Sequence, residues 1–208
     1  MTIPIHGRAA LVISECQRGI IEPGMGAFTG LVDQACERGI VPRIAGLAAQ
    51  LRGAGLPVIH LPVEHRADFA DVQSNSLLAA MARKHRMVVA GSADAEIVAD
   101  LAPEPEDFIV ARSSGLIGFL GTPLDAMLRR MGVSTVVMTG VSTNVAVAGC
   151  TIVAAGLGYH VIVAEDCIAA ADPAAHDLIV REQLRMVARI ASAAEIAEAL
   201  VSGGSTSG

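Results

Sequence analysis

One block of the sequence, Val136–Asp166, constrains the fold more than any other. An apolar run rich in β-branched residues, Val133–Met138, leads into this block and predicts a buried strand. Gly140 then marks a tight turn. The alanine- and valine-rich stretch that follows, Thr143–Leu157, predicts a helix, and Tyr159–Ala164 predicts a second strand. Strand, turn, helix and strand in this order form one unit of a parallel sheet, in which ligands bind where strands end and helices begin.

Three motifs, in the right order and spacing, resemble the isochorismatase-like cysteine hydrolases. They are ALVISECQ at Ala10–Gln17, FLGTPL at Phe119–Leu124 and GVSTNVAV at Gly140–Val147. Members of this family include nicotinamidases, carbamoylsarcosine and ureidoacrylate amidohydrolases, and isochorismatases. The resemblance extends over nearly the whole chain, from about residue 8 to residue 200.

The remaining sequence predicts further alternation of strands and helices, with a glycine-rich loop at Gln17–Gly30. Further strands are predicted at Ala9–Ser14, Pro57–Pro62, Phe108–Ala111 and Val187–Ile190. Further helices are predicted at Val41–Gly53, Ser76–His85, Ala93–Ala99, Thr122–Met131, Pro173–Arg185 and Ser192–Leu200. Six strands alternating with helices predict a single α/β domain, residues 1–201, whose parallel sheet is covered on both faces. The resemblance implies the strand order 3-2-1-4-5-6, and Ser202–Gly208 is expected to be a flexible tail.

Composition excludes several classes of function. Apolar residues make up 52% of the 208 and aromatic residues only 2%, so the core must be built from alanine, valine, leucine and isoleucine. A net charge of −6 leaves no basic footprint for nucleic acid. The longest apolar stretch, Val145–Leu157, is shorter than the roughly 20 residues that a membrane span needs. Four cysteines without a CxxC pair indicate a reduced, cytoplasmic chain.

The resemblance places an altered catalytic triad in this chain. Amidases of the family use a cysteine thiolate, an aspartate at the end of the first strand, and a lysine; a thiol needs such a base beside it to react. The aspartate position is Glu15, and the cysteine position is Ala146, which has no nucleophile. Cys150 lies about one helical turn further on and could substitute, although core packing is the favoured reading. Cys16 should point to the opposite side of the strand from Glu15, and Cys36 and Cys167 are interpreted as packing thiols.

The family lysine has no counterpart in this sequence. Counting from Asp107 puts Arg112 at its position, whereas counting back from Phe119 puts Ser113 there. The single lysine of the chain, Lys84, lies in a stretch that is typical of a solvated helix face. We expect Arg112 to pair with Glu15, because a buried carboxylate is costly without a partner, and to serve as a clamp for substrate.

The resemblance also implies a binding site for an oxyanion or carbonyl. In the family, a cis peptide joins the residues matching Val141 and Ser142, and the N–H groups matching Ser142 and Ala146 form the oxyanion hole. Phe119 is assigned to the same binding site. Ser142 or Thr143 as nucleophile would need an adjacent base, and the sequence places no histidine there.

No metal and no cofactor are expected. Glu64, His65 and Asp68 could approach one another, but the Asp-x-His spacing of the nicotinamidases is absent. His60, within an apolar strand, is predicted to be a hydrogen-bonded structural residue. The other histidines considered are interpreted as surface or packing residues; they are His85, His160 and His176.

Three hypotheses for function remain. The first is an active hydrolase of a small amide- or carboxylate-bearing metabolite, with Glu15 as base and either Cys150 or water as nucleophile. The second is a non-catalytic member that binds a small molecule or acts as an assembly subunit. The third is an isochorismatase-type cleavage of a vinyl ether, with Glu15 as general acid. The expected partners are a small-molecule ligand and further copies of the chain in a homodimer or tetramer, with neither nucleic acid nor membrane.

Overall fold

The structure, a computed structural model, describes residues 3–203 and contains one parallel sheet of six strands. The strands are β1 (Arg8–Ser14), β2 (Val58–Leu61), β3 (Phe108–Ile109), β4 (Val133–Val141), β5 (His160–Ala169) and β6 (Arg189–Ala191). Their order is β3-β2-β1-β4-β5-β6 and every pairing is parallel. The predicted fold class and strand order are therefore confirmed.

Helices cover both faces of this sheet. They are α1 (Arg18–Ile21), α2 (Thr29–Glu37), α3 (Ile40–Gly53), α4 (Leu77–His85), α5 (Leu124–Arg130), α6 (Ala148–Gly156), α7 (Pro173–Glu182) and α8 (Ala193–Gly203). The helix predicted over Thr143–Leu157 begins as a π-helical turn, Thr143–Val147, and continues as α6. None of the helices within residues 3–203 is long and apolar enough to cross a membrane.

The alternating side chains of β1 show how the two faces are filled. Leu11 and Ile13 belong to a core that includes apolar residues of α2, α3 and α8. Ala10 and Val12 belong to a second core that includes residues of α5, α6 and α7. Because successive side chains of a strand point to opposite faces, one apolar strand contributes to both layers.

The helix predicted at Ala93–Ala99 is wrong, since this segment forms turns and a 3₁₀ turn begins only at Ala99. Its backbone pairs with another segment instead. The amides of Arg18 and Gly19 donate to the carbonyl oxygens of Glu96 and Asp94, both at 2.8 Å. These non-local bonds use backbone carbonyl oxygens that would otherwise accept hydrogen bonds within a helix. Tertiary pairing therefore overrides the helix propensity of this segment.

The predicted loop at Gln17–Gly30 is also partly wrong. It contains the short helix α1, and α2 already begins at Thr29. The buried residues of α2 are Leu31, Val32 and Ala35, a spacing that matches a helical face but spans barely two turns. At the other terminus, α8 continues to Gly203, and residues 204–208 of the predicted tail lie outside the described residues.

The central strands β1 and β4 approach closely at their carboxyl ends. Ser14 pairs with Gly140, whose φ is +91°. A Cβ atom at residue 140 would overlap the backbone oxygen and nitrogen of Ser14. Glycine is required here for both conformation and space. This close approach brings Glu15, directly after β1, beside Val141 and Ser142 at the end of β4.

Replacement of Gly140 by alanine tests this constraint, and Gly158→Ala is a matched control. Gly158 has nearly the same φ, +92°, but nothing lies within 4 Å of an added Cβ. The control should lose about 1–2 kcal/mol of unfolding free energy from backbone conformation alone. Gly140→Ala should lose a further 1–3 kcal/mol, roughly, from overlap with Ser14. Urea denaturation measures both, and equal losses would contradict the requirement for space.

Candidate active site

A cavity of about 610 Å³ lies at the carboxyl edge of the sheet. Part of its polar lining comes from segments that follow strands: Glu15 after β1, His65 after β2, Arg112 after β3 and Ser142 after β4. Residues of α2 and α4 complete the wall. We call this space the site cavity. Its position agrees with the general rule that open α/β sheets bind ligands beyond the carboxyl ends of their strands.

Glu15 and Arg112 are in direct contact at the wall of the site cavity. Arg112 Nη2 donates a hydrogen bond to Glu15 Oε1. Arg112 is only 6% exposed, and its guanidinium also donates to the carbonyl oxygens of Gly115 and Leu116, at 3.3 and 3.4 Å. Glu15 has a φ of +53°, which is uncommon for a residue with a side chain. The expected contact between Glu15 and Arg112 is therefore present.

The backbone beyond β3 explains why Arg112, and not Ser113, meets Glu15. The amide of Arg112 donates to the Pro62 carbonyl at 3.1 Å, and its carbonyl accepts from the Glu64 amide at 2.9 Å. This pairing continues the sheet beyond β2 and fixes residue 112 at its edge. Ser113 instead donates from Oγ to Asp71 Oδ2 at 2.5 Å.

Burial sets the protonation behaviour of Glu15. Loss of solvent raises the pKa of its carboxyl group, while the charges of Arg112 and His65 and the hydrogen bond from Arg112 oppose that rise. Desolvation is the largest of these effects, so the pKa lies above that of an ordinary glutamate. The group can therefore both release and take up a proton closer to neutral pH than an exposed carboxyl group would.

The two candidate nucleophile positions offer no reactive group to the site cavity. Ala146 is 1% exposed within the π-helical turn. Cys150 is fully buried in the core beneath α6 and is not part of the cavity wall. Burial raises the pKa of the Cys150 thiol to about 11, although a hydrogen bond from the Gly118 amide to Sγ, at 3.3 Å, opposes the rise. The structure thus supports packing for Cys150 and does not bring it to the site.

The turn after β4 contributes the backbone side of the site cavity. The peptide bond between Val141 and Ser142 is cis, as the resemblance implies. Ser142 and Asn144 line the cavity, whereas Val141 and Ala146 are buried. The oxyanion role of the Ser142 and Ala146 N–H groups remains a prediction.

Sequence reasoning missed a buried pair behind this turn. Thr143 Oγ1 lies 2.9 Å from His176 Nδ1, and both residues are almost fully buried. Burial, helped by the charge of Arg38, lowers the pKa of His176 to about 4, so its ring is neutral at pH 7. The expectation that no histidine lies near Thr143 is wrong, because α7 packs against the π-helical turn from 33 residues away. Neither residue lines the site cavity, so the pair supports the turn from behind.

The structure also bears on two other predicted positions, Phe119 and His60. Phe119 is buried, its ring lies 6.2 Å from that of Tyr159, and it does not line the site cavity, so its assignment to the binding site stays a prediction without support from the cavity. Phe119 belongs to the same core as the buried residues of α6. His60 is a hydrogen-bonded structural residue as predicted, with Nε2 3.1 Å from Asp107 Oδ2.

His65 lines the site cavity, whereas from the sequence it was considered only as a possible metal ligand. Its Nδ1 lies 2.6 Å from the Ser113 carbonyl oxygen, so Nδ1 carries the proton and Nε2 is the ring nitrogen available to a bound molecule. Glu64 does not line the cavity, and Asp68 pairs with Arg66 in solvent. Within residues 3–203, no three histidine, cysteine, aspartate or glutamate residues are grouped to hold a metal ion.

Comparison with known proteins gives a consistent result. The family model described as "Isochorismatase domain" matches residues 9–195. An uncharacterized isochorismatase family protein of Escherichia coli O157:H7 is 31% identical over 198 residues, which cover 92% of this chain and 95% of that protein. A ureidoacrylate amidohydrolase of Methylorubrum extorquens is 33% identical over 120 residues, covering 52% of this chain and about half, 48%, of its own length.

A solved structure shows the same architecture. The crystal structure of an isochorismatase family protein from Desulfovibrio vulgaris superimposes with a TM-score of 0.82 at 29% identity. The match covers 94% of this chain and 100% of that one. The sheet order, the site at its carboxyl edge and these matches agree: the chain belongs to the isochorismatase family.

Proposed function

We propose that the protein hydrolyses a small carbonyl- or amide-bearing metabolite, with water as the nucleophile and Glu15 as the group that carries the proton. The observation that supports this most strongly is the Glu15 carboxyl group, buried at the cavity wall against Arg112, with a raised pKa. Similarity to a ureidoacrylate amidohydrolase supports the amide class.

Water takes the place of a covalent nucleophile in this proposal. Ala146 has no reactive atom, and the Cys150 thiol is protonated and remote from the cavity. Ionised Glu15 would remove a proton from water as the water oxygen attacks the carbonyl carbon. The same proton would then pass from Glu15 to the leaving nitrogen as the C–N bond breaks. Arg112 would hold the carboxylate in one orientation throughout.

Cleavage of a vinyl ether is a second candidate, favoured by the same raised pKa. Protonated Glu15 would donate its proton to the vinyl carbon, and water would add to the resulting oxocarbenium ion and return a proton to Glu15. The hemiketal would then break its C–O bond to release a carbonyl product and an alcohol. A third outcome, binding without turnover, is consistent with the missing cysteine and lysine. The two reactions require different protonation states of the Glu15 carboxyl group, and the third outcome requires no turnover. The three can therefore be separated experimentally.

Replacement of Glu15 by glutamine tests the role of this group. Turnover of a responsive substrate, from a panel of small amides, ureides and isochorismate, should fall at least about 100-fold, the usual range for loss of a general acid or base. The control is Glu64→Gln, whose carboxyl group follows β2 but does not line the site cavity. Retained activity in Glu15→Gln would remove Glu15 from the mechanism. If the unaltered protein binds compounds of the panel but hydrolyses none of them, the result would favour the binding role.

The pH profile distinguishes the two reactions. As a general base Glu15 must be ionised, so kcat/KM for an amide should rise as pH increases through its raised pKa. As a general acid it must be protonated, so kcat/KM for a vinyl ether should fall over the same pH range. A profile that is flat between pH 4 and pH 9, roughly, would contradict both roles.

Alkylation of the cysteines tests the absence of a thiolate nucleophile. Cys36 is exposed, so its interpretation as a packing thiol is wrong, and it serves as an internal reference. Cys16, Cys150 and Cys167 are buried. Iodoacetamide at pH 7, followed by peptide mass spectrometry, should modify Cys36 first and Cys150 at least about 100-fold more slowly. Modification of Cys150 as fast as in denatured protein would restore a covalent mechanism.

A further inference from the structure

Much of the wall of the site cavity is apolar, although Asp71, Gln73, Asn75 and Ser76 also line it. Helix α4 contributes Leu78, Ala79 and Ala82, and the start of α2 contributes Phe28 and Leu31. Leu31 and Ala82 are buried, and the other three residues are half-buried in the cavity wall. A small polar molecule would bind such a wall weakly, because the favourable binding free energy comes from burial of apolar surface on the ligand and the wall.

The rest of the wall offers polar groups but few charges: besides His65, its acidic and basic side chains are Glu15, Asp71 and Arg112. Arg112 is the one lysine or arginine among the described residues that line the cavity. Its guanidinium already contacts Glu15 and two carbonyl oxygens, so its charge is neutralised by a buried carboxylate. A second carboxylate, brought by a ligand, would have to compete with Glu15 for it. A neutral head group can instead exchange hydrogen bonds with Glu15, Ser142 and Asn144.

We propose that the site cavity takes an amphiphilic ligand: a neutral amide or ureide head beside Glu15, and an aliphatic or aromatic body along α4 and α2. Binding of such a ligand is argued from the cavity alone. Only its hydrolysis rests on the proposed function. A cavity of about 610 Å³ is within the range that takes drug-sized molecules. It has room for a body of about six to ten carbon atoms.

Isothermal titration of the intact protein at pH 8 tests this proposal with acetamide, butanamide, hexanamide and hexanoate. Each methylene buried on an apolar wall improves affinity by up to about fourfold. Hexanamide should therefore bind at least about tenfold more tightly than acetamide, and at least about tenfold more tightly than hexanoate, whose charge meets Glu15. Affinity that does not change with chain length, no binding of hexanamide, or tighter binding of hexanoate would each overturn the proposal.

Two neighbouring leucines of α4 provide a matched pair of variants. Leu78 lines the cavity, whereas Leu77 is 76% exposed and does not. Leu78→Gln should weaken hexanamide binding about tenfold and leave acetamide binding unchanged, whereas Leu77→Gln should change neither. Thermal denaturation of both variants establishes that they are folded. Equal effects of the two substitutions on hexanamide would place the apolar body elsewhere and contradict the proposal.

Failure of this inference and failure of the proposed function give different results. Chain-length-dependent binding of amides without hydrolysis would uphold the amphiphilic ligand and contradict the hydrolase. Hydrolysis of acetamide with the same kcat/KM as hexanamide would uphold the hydrolase and contradict the amphiphilic ligand.

Discussion

A carboxyl group removed from water must find a partner, and in this protein Glu15 finds Arg112. Arg112 is held at the sheet edge by backbone bonds to Pro62 and Glu64, so the partner is fixed before any ligand arrives. The close approach of Ser14 and Gly140 then sets the pair beside the turn that follows β4. The buried ion pair therefore lies where the ends of β1, β3 and β4 meet at the site cavity.

The scaffold of the isochorismatase family is present in this chain, and the resemblance places an alanine at the family's cysteine position. The sheet, the cis peptide and the acidic residue after β1 are all present, while Ala146 provides no sulfur. The buried pair of Thr143 and His176 supports the turn from the far side, where a neutral ring adds no charge to the site. The site cavity thus combines a buried carboxyl group, hydrogen-bonding groups and apolar side chains, the features on which the proposed attack by water rests.

Most of the fold follows from local patterns, whereas much of the site does not. Long apolar strands and the Ala/Val-rich segment after Gly140 have periodicities that indicate their structure directly, and the strand order came from the resemblance. The failures have non-local causes. Asp94 and Glu96 pair with α1 instead of forming a helix, and His176 meets Thr143 only because α7 packs on the turn. The contact of Glu15 with Arg112 was predictable, because a buried carboxylate needs a partner of opposite charge.

The titration of Glu15 itself tests the central claim most directly. Carbon-13 NMR of the glutamate side-chain carboxyl groups, with Glu15→Gln used to assign the signal, gives the pKa of this one group. Because burial outweighs the charge of Arg112, the pKa should lie above the value of about 4.3 for an unperturbed glutamate. A pKa at or below that value would mean that Arg112 dominates, that Glu15 stays ionised near neutral pH, and that it cannot act as the acid of the site.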